Sequence, residues 1–366
     1  MRHYRVGALE CRLAVSGESE RRRKCQSAGM IRRLTSALIL IASLVTSATA
    51  QERVIVATTR DMSNAALFLA AARGYFKDEG LQLEMRAYPD APAAAEALGL
   101  GAADLALTAF SATAFSLAAS GKIKAIAAQV REWRGYEGNQ VIATPDAYRR
   151  GLHSLRDLAG KSVALNGLGS VFHYELAQIA QHNGFKFDSQ SLKALPSFDA
   201  VAQAVIDGKV DAAILPPLYV QELLSSGQAR PIGWFSELGE HQLGALFASA
   251  KTLANRRDMV KKFLIAYRRG AADYVTALLR HDSYGKRRID AKARDAAAAI
   301  GLYLFPGRGP NSTIPVVSSG AYYMDAEARL DLADIERQVA WFKAHGLIAP
   351  NADAHTMVDM DYVAGR

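Results

Sequence analysis

A two-lobed α/β fold is predicted by three observations. Short apolar strands alternate with helical stretches from residue 53 onward, the alternation restarts near residue 154, and one helix–glycine–strand segment occurs twice. Strands that alternate with helices point to a largely parallel sheet in each lobe, with helices on its faces.

The first round reads in order. Residues 53–58 are a short β-branched run that suits a buried strand. Asp61 or Ser63 is placed to cap the following helix, residues 65–75, which stops near Gly74. Residues 81–87 alternate as a second strand. Residues 92–100 form an Ala-rich helix closed by Gly101, and residues 103–108 a third strand. A helix over 111–119 ends before Gly121, and 123–130 is a fourth strand.

The second round opens on Ser154-Leu-Arg-Asp157, a capping box, with Gly160 closing its short helix. Residues 162–165 form a strand, and Gly167-Leu-Gly-Ser170 leads into a helix running towards Asn183. A strand end at 194–195, a helix over 199–206 and a strand over 210–215 follow. After about Leu243 the pattern is helical, over 257–279, 291–303 and 326–344. Ala333, Ile335, Val339, Trp341 and Phe342 give the last helix its packing stripe.

The repeated segment starts at Ala95 and again at Ala202. It shares Ala95/Ala202, Ala97/Ala204, Gly101/Gly208, Asp104/Asp211 and Ala106/Ala213 without a gap. The glycine suits a left-handed residue past a helix end, and the aspartate precedes a buried strand. Either two homologous lobes share an ancestor, or an Ala-rich chain repeats the same local grammar by chance.

Composition bounds the function. Half of the 366 residues are hydrophobic and 22% are charged, with a mean hydropathy of −0.01, as in globular proteins of about two domains. The formal charge of +8 is concentrated at the N-terminus. Nine of the 44 basic and three of the 36 acidic residues lie within residues 1–50, which leaves +2 on the remainder and excludes a general nucleic-acid binder. Both cysteines, Cys11 and Cys25, lie there too, so no disulfide, thiolate metal site or cysteine nucleophile is available beyond them.

Ile31-Arg-Arg33, an apolar run over 34–45 and Ala48-Thr-Ala50 together describe a secretory signal peptide, cleaved after Ala50. The apolar run is shorter than the ~20 residues that span a bilayer. No cysteine follows it, which argues against a lipoprotein anchor. Met30 stands where a start is expected, so residues 1–29 read as an upstream extension or a disordered tail. The expected location is the periplasm. The expected organisation is a leader over 1–50, one lobe from 51–140 with 245–350, a second lobe over 141–244, and a tail over 351–366.

Five segments carry a resemblance. Arg73-Gly-Tyr-Phe-Lys-Asp-Glu-Gly80, residues 97–119, Leu155-Arg-Asp-Leu-Ala-Gly-Lys-Ser-Val-Ala164, Gly169-Ser-Val-Phe-His173 and Gly208-Lys-Val-Asp-Ala212 occur in this order. Together they resemble the substrate-binding proteins of ABC importers, in the nitrate/sulfonate/taurine/pyrimidine branch of the type II periplasmic binding fold. The similarity runs from about residue 53 to 235, and more loosely to about 348. It implies an exported monomer that holds a small molecule and hands it to an inner-membrane ABC permease. The chain departs from the sulfonate-type pattern at Ile214-Leu-Pro-Pro217, which leaves a sulfonate ligand in doubt.

Candidate ligand contacts lie on loops after strands, where open α/β sheets bind ligands. In Gly167-Leu-Gly-Ser-Val-Phe-His173, Gly169 lets the backbone approach a ligand, Ser170 adds a hydroxyl, and His173 stands one turn into the helix. Alternatively, Ser170 is simply the helix cap. In the loop after the first strand, Thr59, Arg60 and Asn64 are candidates, with Arg60 either an oxyanion partner or a solvated charge. After the third strand, Phe110 either floors a flat ligand or packs in the core, beside Ser111. Pro217 completes the set. Trp133 and Tyr136, with Arg131 and Arg134, sit near the expected crossover between lobes.

Other chemistry is sparse. Ala159-Gly-Lys-Ser162 ends like a P-loop but has Leu155 where the first glycine belongs, and no His-Glu-x-x-His or Gly-x-Ser-x-Gly occurs. Asn311-Ser-Thr313 matches a glycosylation sequon, a coincidence in a bacterial-type exported chain. The expectation is a binding protein with no cofactor, no metal and no catalytic residue. Its ligand is a small organic anion or a flat aromatic or heterocyclic molecule. The competing classes are a ligand sensor and a non-transport enzyme of the same fold. The resemblance includes enzymes of the menaquinone and thiamin-pyrimidine pathways, but the cysteine-rich loop of the latter is missing.

Overall fold

The computed structural model describes residues 51–363, Ser189 excepted. The expected leader, Cys11 and Cys25 lie outside the described residues. The chain begins with β1 (Glu52–Thr58), a 3-10 turn (Met62–Asn64), α1 (Ala65–Ala72), α2 (Tyr75–Asp78), β2 (Leu81–Ala87), α3 (Ala91–Gly99), β3 (Leu105–Ala109), α4 (Ala112–Ala119) and β4 (Ile123–Ala128). A short crossover strand β5 (Arg131–Glu132) leads to β6 (Gln140–Ala143), α5 (Pro145–Arg149), β7 (Val163–Leu165), α6 (Val171–His182), β8 (Leu192–Ala194), α7 (Phe198–Ile206), β9 (Ala212–Leu215), α8 (Pro217–Ser225) and β10 (Arg230–Trp234). The return runs through β11 (His241–Gln242) to β12 (Gly244–Ser249). The helices α9 (Ala250–Asn255), α10 (Arg257–Leu278), α11 (Ala291–Leu304), α12 (Pro310–Ser319), α13 (Leu332–Ala344) and α14 (Ala354–Met357) complete the chain.

Two five-stranded sheets result, ordered β2-β1-β3-β12-β4 and β10-β6-β9-β7-β8. In the first, β1, β2 and β3 pair in parallel, while β12 runs antiparallel between β3 and β4. In the second, β7, β8 and β9 pair in parallel, while β6 runs antiparallel between β9 and β10. Each sheet is thus mostly parallel with one reversed strand, and that strand adjoins a crossover. The expectation that the chain turns wholly helical after Leu243 is corrected by β12. Its Gly-Ala-Leu-Phe-Ala-Ser sequence is buried at every position, so it shows no alternation to read.

The repeated segment is structural. Gly101 and Gly208 are both left-handed, at φ 76° and 64°. Asp104 Oδ2 accepts the Ile55 backbone N–H at 2.9 Å, and Asp211 Oδ2 accepts the Ser162 N–H at 3.0 Å. Each aspartate therefore ties two neighbouring parallel strands, β3 to β1 and β9 to β7, and each also meets an arginine, Arg256 or Arg150.

The C-terminal helices close over the first sheet. Met259, Val260, Phe263, Leu264, Tyr267, Ala271, Tyr274 and Leu278 recur at three- and four-residue spacing on α10 and are buried. Fully burying such side chains contributes roughly 1.5–3 kcal/mol each. The stretch expected as a tail also packs, since Val358 bridges Ala125 on β4.

Candidate functional site

Both sheets direct the C-terminal ends of their parallel strands at one cavity of about 1300 Å³. The loops after β1, β2 and β3 form one wall, those after β7, β8 and β9 the other, and α12 with its flanking turns closes a side. Strand C-terminal ends leave helix N-termini and bare loops facing outward, which makes this the usual ligand position in such sheets.

Six of the nine sequence-derived candidates lie on the cavity wall: Thr59, Arg60, Phe110, Ser111, Gly169 and Ser170. Phe110 is also buried against Phe115, with ring centroids 5.0 Å apart, so it belongs to core and wall together. The other three stand outside the lining. Asn64 is fully buried, donates to Thr59 O at 3.0 Å and accepts from Gln129 Nε2 at 2.7 Å, which fixes the loop from behind. His173 Nδ1 accepts the Gly169 N–H at 3.1 Å, and its ring packs edge-on against Trp341. Burial, with a smaller effect of His345, lowers the His173 pKa to about 4, so the ring is neutral and keeps this acceptor. Pro217 is buried in the first turn of α8, while its neighbour Pro216 faces the cavity.

The two walls touch where the loops after β3 and β7 meet. The Ala112 N–H donates to Gly169 O at 2.8 Å, and Ser111 and Ser170 form an isolated antiparallel bridge. Gly169 has φ +75°, and a Cβ there would stand 3.0 Å from Ala112 Cβ. Glycine is thus required by both backbone handedness and this contact. Ser170 Oγ accepts from His173 N at 3.3 Å and donates to Gly167 O at 2.8 Å. The cap reading of Ser170 is therefore present in the geometry, on a residue that also faces the cavity.

Sequence reasoning missed several lining residues. Asn166 directly precedes the glycine loop, and its buried Oδ1 has no partner. Tyr219 and Glu222 lie on α8 just beyond the Pro-Pro pair, and Tyr322 follows α12 in a region without a motif. The position of Asn166 beside Gly167 was the one available signal.

Behind the cavity floor lies a polar network at the crossovers. Tyr322 O–H donates to Asn139 Oδ1 at 2.6 Å, and Asn139 Nδ2 donates to both Glu175 oxygens at 2.9 Å. Asn139 N–H donates to Glu132 Oε1 at 2.7 Å, and His241 stands 3.2 Å from Glu175. His241 faces Glu132 across the β5–β11 ribbon. Burial raises the Glu132 carboxyl well above the usual range and Glu175 adds to this, while the Asn139 N–H opposes it. A Cβ on Gly138 would lie 1.9 Å from Glu132 Oε2, so that position admits no side chain. Trp133 stacks on Tyr323 at 4.7 Å beside this ribbon, away from the cavity wall.

Among the described residues, no group of three or more acidic, histidine or cysteine side chains is placed to hold a metal, and no helix is long and apolar enough to cross a membrane.

Comparison with known proteins identifies this architecture. The periplasmic aliphatic sulphonate-binding protein SsuA from Escherichia coli superimposes with a TM-score of 0.65 at 15% identity, covering 84% of this chain and 92% of that one. The periplasmic nitrate-binding protein NrtA from Synechocystis gives 0.62 at 12% identity, covering 82% and 83%. The fold is that of the two-lobed solute-binding components of ABC importers. The chain belongs to the family described as NMT1/THI5 like, which matches residues 62–277. Curated relatives include the 4-amino-5-hydroxymethyl-2-methylpyrimidine phosphate synthases THI5 and THI12 of Saccharomyces cerevisiae. They are 25% identical over 228 residues, a match that spans 58% of this chain and 63% of theirs.

Proposed function

We propose that this chain is an exported, periplasmic solute-binding protein that captures a small flat aromatic or heterocyclic molecule between its lobes and delivers it to an ABC permease. The observation that carries the reading is the cavity at the C-terminal ends of both parallel strand sets, with a wall from each sheet. Aromatic side chains on that wall, among them Tyr88, Phe110, Phe172, Phe198 and Tyr219, suit a flat ligand. The lobes are residues 51–140 with 245–350, and residues 141–244, moving about the β5–β11 ribbon. Thr59, Arg60, Phe110, Ser111, Gly169 and Ser170 contact the ligand, while Asn64, His173 and Pro217 hold the contacting loops.

A thermal-shift screen of aromatic, heterocyclic and anionic compounds tests this reading. A compound at a hundred times its Kd adds about 2.7 kcal/mol to stability, and at least one hit is expected. The yeast synthases favour a second reading, catalysis. Recovering the bound compound chemically unchanged supports capture, and a new product would replace capture with catalysis.

A further inference from the structure

The charge of the cavity narrows the ligand class, given the solute-binding reading on which this inference rests. Six charged side chains line it. Asp61, Asp90, Asp199 and Glu222 are carboxylates without a basic partner among the described residues, set against Arg60 and Arg308. Arg60, Asp199 and Glu222 are exposed, Asp61 and Asp90 half-buried, and the Arg308 guanidinium lies over the Phe305 ring at 5.2 Å.

An anion would draw on Arg60, Arg308 and the helix N-termini that face the cavity, and most of those termini are capped by the chain's own side chains, that of α8 excepted. Asp61 accepts from Ser63 N at 2.9 Å and Asp90 from Ala93 N at 2.8 Å. Ser111 caps α4, Ser170 caps α6 and Ser197 caps α7. Two of these caps are themselves carboxylates, placing negative charge where an anionic ligand would sit.

The carboxylates come from both walls, Asp61 on the first and Asp199 and Glu222 on the second. Tyr219 feels all three. Burial, then Asp199, Asp61 and Glu222, push its pKa up to about 12. Its ring packs on Phe198 at 5.4 Å, and Phe198 packs on Phe172 at 5.1 Å. Aromatic faces beside carboxylates that lack a basic partner favour an organic cation through cation–π and charge contacts.

We propose that the cavity selects a ligand bearing a protonated amine or amidine on an aromatic body, with Asp61, Asp199 and Glu222 setting this preference. Closure on such a ligand also neutralises carboxylates that would otherwise repel one another across the cleft.

Charge-matched probes on the purified protein decide the matter: benzylamine and benzamidine against benzoate and benzenesulfonate, with toluamide as the neutral control. Calorimetric titration is expected to give at least tenfold tighter binding to the amine or amidine than to the matching anion. Glu222→Gln and Asp199→Asn are each expected to cut that selectivity ratio at least threefold, a readout that loss of stability alone does not move. No response to either cation overturns the inference. If an anion or the neutral probe then binds, solute capture survives, and silence across all five probes counts against both readings. An unchanged selectivity ratio in both variants removes the assigned carboxylates from the preference.

Discussion

The two sheets share a scaffold and differ at the cleft. Asp104 and Asp211 make the same strand-to-strand bond at equivalent positions, each after a left-handed glycine. The loops that follow β1 and β7 differ. After β1, a carboxylate, Asp61, caps a 3-10 turn. After β7, two left-handed glycines carry the chain to Ser170, which caps α6 directly. The same strand-to-strand bond recurs in both sheets, while the cleft-facing loops are built differently.

Breaking the shared bond is expected to have the largest effect. Asp104→Ala leaves the Ile55 N–H without its acceptor and frees Arg256, which also binds Glu52. A loss of about 2–3 kcal/mol is expected, read by urea unfolding. Asp211→Ala is expected to cost less, about 1–2 kcal/mol, because its Arg150 partner is 63% exposed. In Asp211 burial pushes the carboxyl up, and the Ser162 and Arg150 hydrogen bonds outweigh that and hold it below its ordinary value. An equal or larger cost at Asp211 would break the comparison.

The second-lobe loop gives effects no larger than that of Asp211→Ala. Gly169→Ala forces an L side chain into a left-handed backbone and against Ala112. About 1–2 kcal/mol of destabilisation is expected, with loss of the contact between walls. Ser170→Ala is expected to cost about 1 kcal/mol through the lost cap. Urea melts and titration of the same variant separate the roles, since an affinity loss beyond the stability loss makes Ser170 a ligand contact as well.

The smallest effect is on pH dependence and comes from His173. The folded protein holds His173 neutral by burial, with a pKa of about 4. The unfolded chain takes up a proton near pH 6.5, so this contribution to stability is full above pH 6.5 and is lost as pH falls towards 4. His173→Gln can still accept from Gly169 N–H, and its stability is expected to fall less steeply over that window. Parallel pH profiles of the two proteins would remove His173 from the account.

Much of the scaffold was legible because its signals are local. The capping box at Ser154, the closing glycines 101, 121 and 160, and the cap Ser170 stand where the sequence placed them, whereas Asp61 caps the 3-10 turn ahead of α1 instead of the helix itself. Strand β12 was not legible, since a strand buried on both faces in an Ala-rich chain lacks a period. Nor were Tyr219 and Tyr322, which reach the cavity only through the packing of α8 and the C-terminal helices. The crossover network of Glu132, Asn139, Glu175 and His241 was likewise invisible, because its members are distant in sequence and meet only when both lobes form.

Small-angle scattering tests the central claim, capture between two lobes, most directly. The purified protein is measured alone and with a saturating amount of the compound that stabilises it most in the thermal-shift screen. Closure about the β5–β11 ribbon gives a smaller radius of gyration at unchanged molecular mass. An unchanged radius with the compound demonstrably bound would contradict closure and leave a rigid, preformed pocket in its place.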